Sequence, residues 1–216
     1  MVMDDLEILS FALGPAQANA YLLGDRQSGR AVVIDPAWDG AFLLETAAAR
    51  GWRVGQIWLT HAHFDHLGGA AALADGARQP VPVALHPADH PLWQMHGGAA
   101  PFGYTDFDPG PEPTVDLFDG MELRLGPALF TAIHAPGHTP GHMLFYCQAL
   151  ASLFCGDLIF AGSVGRTDLP GGNGEQLMAS IQRHVLSLPD ETRLLPGHGP
   201  ETTVGRERAS NPFLRD

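Results

Sequence analysis

Six consecutive residues, His61-Ala62-His63-Phe64-Asp65-His66, hold four metal-binding side chains directly after the apolar run Val54 to Leu59 and Thr60. Loops at the ends of strands are where mixed α/β proteins place their sites. Three later segments share one form, a strand or loop ending in a glycine-flanked ligand: Pro136-Gly137-His138, Gly156-Asp157 and Pro196-Gly197-His198. Glycine permits the tight turn that lets a short imidazole or carboxylate reach a shared centre. Together these are five histidines and two aspartates, enough for two borderline metal ions sharing one carboxylate. Two such ions about 3.5–4 Å apart bring the pKa of a water between them toward neutrality and polarise a carbonyl under attack. The blander alternatives are packing alone and a metal-binding chain without catalysis.

The run His61 to His66, followed in order by His138, Asp157 and His198, resembles the metallo-β-lactamase fold superfamily over nearly the whole chain. The resemblance implies that His61, His63 and His138 bind a first metal, that Asp65, His66 and His198 bind a second, and that Asp157 bridges them. It also gives Asp65 a catalytic role, its free oxygen orienting the attacking hydroxide and carrying a proton. Zinc is the first choice for the two divalent ions, with iron or manganese as alternatives.

Branches of the superfamily separate on particular residues. Two-zinc β-lactamases place a cysteine where this chain has Asp157, and the flavodiiron branch has glutamate where this chain has His63. The phrases Pro136-Gly-His-Thr-Pro-Gly-His142, Gly165-Arg-Thr-Asp-Leu-Pro-Gly-Gly172 and Pro196-Gly-His-Gly-Pro-Glu-Thr-Thr203 resemble short glyoxalase II-like hydrolases. These cleave thioesters such as S-lactoylglutathione or related 2-hydroxyacyl thioesters. Larger members add a helical carboxy-terminal domain whose basic residues hold glutathione; this sequence reaches Asp216 soon after its last ligand, which leaves the thiol carrier open. The runner-up is a mononuclear iron persulfide dioxygenase using His61, His138 and Asp157 as a facial triad, and a lactonase is a further reading of the same dimetal site.

Around the ligands, Asp35 is expected to accept a hydrogen bond from a liganding imidazole and fix its tautomer, with a simple turn cap as the alternative. His142 is expected to stand behind the ligands or at the surface. Arg166 and Asp168 form a loop ion pair or meet a substrate carboxylate. Phe102 and Tyr104, with Trp93, line the pocket entrance or belong to the core. His86, His90 and His96 are read as surface residues, His134 as a strand end, and His184 as the solvated side of a helix.

The elements that must position these residues mix two kinds. Strands are expected at Leu6 to Leu13, Asn19 to Gly24, Ala31 to Asp35, Val54 to Leu59 and Val81 to Leu85, then at Thr114 to Phe118, Met121 to Leu125, Ala128 to Ile133, Met143 to Cys147, Ser152 to Cys155 and Thr192 to Leu195. Helices are expected from Gly40 to Arg50, capped by Asp39 with Phe42, Leu43 and Ala47 on the apolar face, from Leu67 to Arg78, and from Glu175 to Leu186. The fold class is therefore α+β, a four-layer αββα sandwich of two mixed sheets with helices outside. One domain spans 1–216, with a loop-rich insertion at about 86–113.

Composition narrows the chemistry further. Twenty-four acidic residues against twelve basic ones give 12 − 24 = −12, which disfavours nucleic acid as a partner. All twelve basic residues are arginine, so phosphate loops and Schiff bases that need lysine are excluded. No signal peptide or membrane span is evident, so the expectation is a cytoplasmic protein acting on a small-molecule thioester, of unknown oligomeric state. Cys147 and Cys155 are too few for a disulfide scaffold and are read as reduced and structural, with a metal role for Cys155 as the alternative.

Overall fold

A computed structural model describes residues 5–215. The first sheet runs in sequence order through β1 (Leu6–Leu13), β2 (Ala18–Asp25), β3 (Arg30–Ile34), β4 (Arg53–Trp58), β5 (Val83–Leu85) and β6 (Val115–Asp116). Its first three strands are antiparallel, and β3 to β6 are parallel. The remaining strands are β7 (Glu122–Leu125), β8 (Ala128–His134), β9 (Met143–Cys147), β10 (Ser152–Gly156), the two-stranded hairpin β11 (Ile159–Phe160) and β12 (Ser163–Val164), β13 (Arg193–Pro196) and β14 (Thr202–Thr203). The second sheet is ordered β14-β13-β10-β9-β8-β7, with β10 and β13 parallel. Both sheets are mixed.

Three apolar layers hold these sheets in an αββα sandwich. Between the sheets, Trp58 meets Phe130 edge-on at 5.2 Å and Phe145 at 5.6 Å, all fully buried. Leu43, Ala47 and Leu73 cover the outer face of the first sheet from α1 (Gly40–Ala49) and, beyond α2 (Phe64–Leu67), from α3 (Ala70–Gly76). Past α4 (His90–Gln94), α5 (Gly174–Ser180), its π-helical continuation Ile181–Val185 and α6 (Val204–Ser210) cover the second sheet with Leu177, Ile181, Val185 and Val204. Because it lies under both a helical layer and the other sheet, β2 is buried at every position.

Local signals behave as the sequence suggests at α1, where the Asp39 carboxylate accepts from Phe42 N at 2.9 Å. Its inward face is Gly40, Leu43 and Ala47, however, and Phe42 is a third exposed, packed edge-on against Phe11 at 5.0 Å. The single helix expected over Leu67 to Arg78 is two. The first begins inside the histidine motif, and Gly68-Gly69 ends it where the chain after β3 wedges in: Ala37 N donates to His66 O and Gly69 N to Ala37 O, both at 2.8 Å. A side chain at Gly69 would run into the Pro36 carbonyl. Residues 86–113 carry α4 and three 3-10 turns, Pro87–Asp89, His96–Gly98 and Ala100–Phe102. Among the described residues no helix is long and apolar enough to cross a membrane.

Candidate metal centre

Both parallel strands that matter in the first sheet stop at the same edge. Ile34 pairs with Trp58 in register, so the residues that follow, Asp35 and Thr60-His61, emerge side by side. Asp35 is held at φ +48°, a left-handed conformation that aspartate tolerates. From there its carboxylate accepts from Thr60 N at 2.7 Å, Thr60 Oγ1 at 2.6 Å and His66 Nδ1 at 3.0 Å. In the second sheet β10 and β13 are likewise parallel, and Asp157 and His198 follow their ends, while His138 sits in the loop from β8 to β9.

Hydrogen bonds at the far side of each ring fix which nitrogen faces inward. Thr60 Oγ1 donates to Asp35, so at 2.9 Å it accepts from His61 Nδ1, and His61 presents Nε2. His66 Nδ1 donates to Asp35, and His138 Nδ1 donates to the Arg166 carbonyl at 2.8 Å, so both present Nε2 as well. His63 reaches the same space with Nδ1, 2.8 Å from His138 Nε2. Two triads result, each with its ligand atoms within 4.8 Å of one another: His61, His63 and His138, and Asp65, His66 and His198. Asp157 lies between them, Oδ2 3.6 Å from both His138 Nε2 and His198 Nε2, and Oδ1 3.3 Å from His66 Nε2.

These atoms converge without satisfying one another. His61 Nε2, His66 Nε2 and Asp157 Oδ1 are buried and lack a hydrogen-bond partner among the described residues. A buried polar atom left unpaired is costly, and a ring of inward lone pairs with a shared carboxylate suits divalent cations. Burial pushes His61 well below the ordinary histidine value and His63 down to about 3, keeping both neutral and ready to bind a metal. Burial alone would depress His66 too, yet the carboxylates of Asp157 and Asp65 raise it well above that value. For Asp157 burial is outweighed by His66, His138 and His198, which hold it ionised far below the usual carboxylate range.

Other expected residues fall in varied places. His142 is fully buried, stacked on His61 at 5.3 Å, and its Nε2 accepts the backbone N–H of Asp157 at 3.1 Å. Arg166 and Asp168 form a bidentate ion pair at 2.7 Å with both side chains exposed. Phe102 and Tyr104 pack on Phe64, inside the histidine motif, with centroids 5.2 and 5.4 Å away, and Trp93 packs against the outer core. Both cysteines are free and buried; Cys155 turns Sγ toward Leu153 O and takes no part in the cluster. His86 and His90 are both partly exposed, His86 stacking on His134 at 4.2 Å and His90 lying beside Asp116. His96 is exposed, and His184 is partly covered on its helix.

Sequence reasoning missed Asp89. Fully buried, it accepts from Ala62 N at 3.1 Å, Thr139 Oγ1 at 2.8 Å and Gly141 N at 2.6 Å, tying the first histidine loop to the loop of His138. It also missed Asn19 and Tyr21, whose side chains donate to the Pro196 carbonyl at 2.9 and 2.7 Å and so anchor the loop of His198. No local signal marks these residues, since their partners lie far along the chain.

The family described as the metallo-beta-lactamase superfamily matches residues 13–198. The probable metallo-hydrolase YqgX of Bacillus subtilis is 37% identical, over 94% of each chain. The hydroxyacylglutathione hydrolase GloC of Haemophilus influenzae is 34% identical, over 92% of this chain and 93% of that one. Among solved structures, the BLEG-1 B3 metallo-beta-lactamase is 36% identical with a TM-score of 0.90, covering 97% of this chain and all of that one. TTHA1623 in a di-iron-bound form is 45% identical with a TM-score of 0.85, covering 95% of this chain and all of that one.

Proposed function

The chain belongs to the metallo-β-lactamase superfamily, and we propose that it is a metal-dependent hydrolase of thioesters of the S-lactoylglutathione or 2-hydroxyacyl type. The observation that carries this reading is the pair of triads on either side of Asp157, with buried polar atoms that nothing among the described residues satisfies. The residues fit two divalent ions: His61, His63 and His138 would hold one, Asp65, His66 and His198 the other, with Asp157 common to both. Ions bound there supply Lewis acidity, acidifying water and polarising a carbonyl; zinc is the first choice, and the di-iron relative supports iron as the alternative.

The chain's own groups do the rest. Asp65 stays ionised, since His66 outweighs the opposing effect of burial, and it turns Oδ2 toward His198 at 3.3 Å. Its Oδ1 is left to align the attacking water, take its proton and return it to the departing sulfur. Asp35, Thr60 and the Arg166 carbonyl hold three imidazoles in one tautomer each, so little reorganisation is needed during reaction. Phe64, Phe102 and Tyr104 supply an apolar wall for the acyl group or thiol carrier. Arg166 is the group offered to a substrate carboxylate, in exchange for Asp168.

The hydrolase reading is preferred to the iron persulfide dioxygenase because that chemistry needs only His61, His138 and Asp157, and leaves the convergence of Asp65, His66 and His198 without a purpose. The likeness to hydroxyacylglutathione hydrolase supports the thioester. The test is initial-rate hydrolysis of S-lactoylglutathione by metal-loaded protein, with a β-lactam and a lactone assayed beside it and His138→Ala as the blank. Turnover of the thioester that vanishes in the variant is expected. Thioester turnover no faster than the blank would end the thioesterase reading.

A further inference from the structure

The end of the molecule opposite the metal centre carries a cationic groove. Its cavity is about 650 Å³ and its lining includes four of the chain's twelve arginines, Arg30, Arg53, Arg78 and Arg124, against one carboxylate, Glu45. In a protein with a net charge of −12, that is a pronounced inversion of sign. Arg30 and Arg53 open β3 and β4 and are direct partners in the parallel register. Asp35 and Thr60 follow the other ends of those strands, a distance of roughly 16 Å for the five residues of β3 at ~3.3 Å each.

Like charges placed side by side on neighbouring strands repel. Here the compensation is slight: among the described residues Arg30, Arg53 and Arg78 form no ion pair, although Glu45 shares the lining, and Arg124 has only the exposed Glu122 at 3.5 Å. The floor beneath them is apolar, from Ala31, Leu44, Ala47 and Val54. A bulge opens it, since β4 has an extra residue at Gly55 where the pairing steps from Ala31–Val54 to Val32–Gln56. The indole N–H of Trp52, also on the lining, is buried with no acceptor among the described residues. Unpaired guanidiniums that can each grip two oxygens, over an apolar floor with an unsatisfied donor, are the elements of an anion site.

We propose that this groove binds a phosphorylated small molecule of nucleotide size, its phosphates between Arg30, Arg53 and Arg78 and its organic part on the apolar floor. The volume suits such a ligand, whereas a long polyanion would also meet the remainder of a protein whose net charge is −12. The site is separate from the metal centre and does not depend on which ester is cleaved there.

The experiment is calorimetric titration of the metal-loaded full chain with ADP and, separately, with inorganic pyrophosphate. One ADP per chain is expected, with affinity falling about tenfold or more in Arg30→Gln/Arg53→Gln and, independently, in Arg78→Gln. These arginines are exposed, so the melting temperature of the variants should be unchanged or raised, and the hydrolytic rate unchanged. Failure of both probes to bind the unmodified protein at millimolar concentration would overturn the site. So would ADP binding as tightly to the arginine variants, because the ligand would then lie elsewhere.

Discussion

Asp89 shows how a residue without chemistry of its own governs the site. Among the described residues its carboxylate is the one partner of two buried backbone N–H groups, in the loops of His61–His63 and His138, and of the Thr139 hydroxyl. Asp89→Ala would strand all three donors, at roughly 3 kcal/mol or more in stability, and weaken metal binding by about tenfold to a hundredfold. Asp89→Asn keeps an acceptor oxygen and should fall between. Urea unfolding with a metal-competition titration measures both effects, and unchanged metal affinity in the alanine variant would remove Asp89 from the site's support. A second residue-scale consequence concerns pH in the metal-free protein. Burial depresses His61, His63 and His142, so below about 6.5 the unfolded chain takes up protons that these folded histidines refuse. His66 and His198 are raised instead, and their contribution is already complete below that pH. Stability of the metal-free protein should therefore decline from pH 7 to pH 5; a flat or rising melting temperature would contradict the burial of these rings. The candidate ligands were legible because they sit in one dense run, His61 to His66, and in short glycine-flanked phrases, whereas Asp89, Asn19 and Tyr21 act through distant partners that leave no pattern in the sequence.

At the scale of elements, the candidate ligands follow strand ends, apart from Asp65 and His66 on α2 and His138 within the loop from β8 to β9. Gly197, just after β13, shows how little space is left: a Cβ there would overlap Asp157 Oδ1 and His66 Cε1. Gly197→Ala should accordingly displace the shared carboxylate, abolish metal binding and cost about 1–3 kcal/mol from overpacking, while far-ultraviolet circular dichroism keeps its native form. Metal bound at full stoichiometry in that variant would show that the loop has room to yield. Period and capping exposed α1 and the long strands well, since Asp39 and the alternating apolar residues are local signals. They misplaced the helix after the histidine motif, because what breaks it is the chain from Pro36 to Ala37 pressed against Gly68-Gly69. Short elements such as α6 and the β11–β12 hairpin also escaped. In α6 the signal reduces to the Thr203 cap, 3.2 Å from Arg206 N, and one inward valine.

For the molecule as a whole, the metal centre joins the two halves of the sandwich at one edge. His61, His63, Asp65 and His66 follow β4 of the first sheet, and His138, Asp157 and His198 follow β8, β10 and β13 of the second. The apolar layer around Trp58, Phe130 and Phe145 holds the sheets together independently of any ion, so removing metal should loosen the edge without dissolving the fold. Ligand linkage gives the size: with free metal at a thousand times its dissociation constant, binding adds about 4 kcal/mol to the native state. In a chain of this length each kcal/mol moves the melting temperature by about 2–4 °C, so chelation should lower it by about 8–16 °C. Re-addition of zinc or iron should restore the loss, and hydrogen exchange should quicken in the ligand loops of both sheets while the amides around Trp58 stay protected. A melting temperature indifferent to chelation, in protein verified as metal-loaded beforehand, would mean that the converging lone pairs do not join the sheets through an ion.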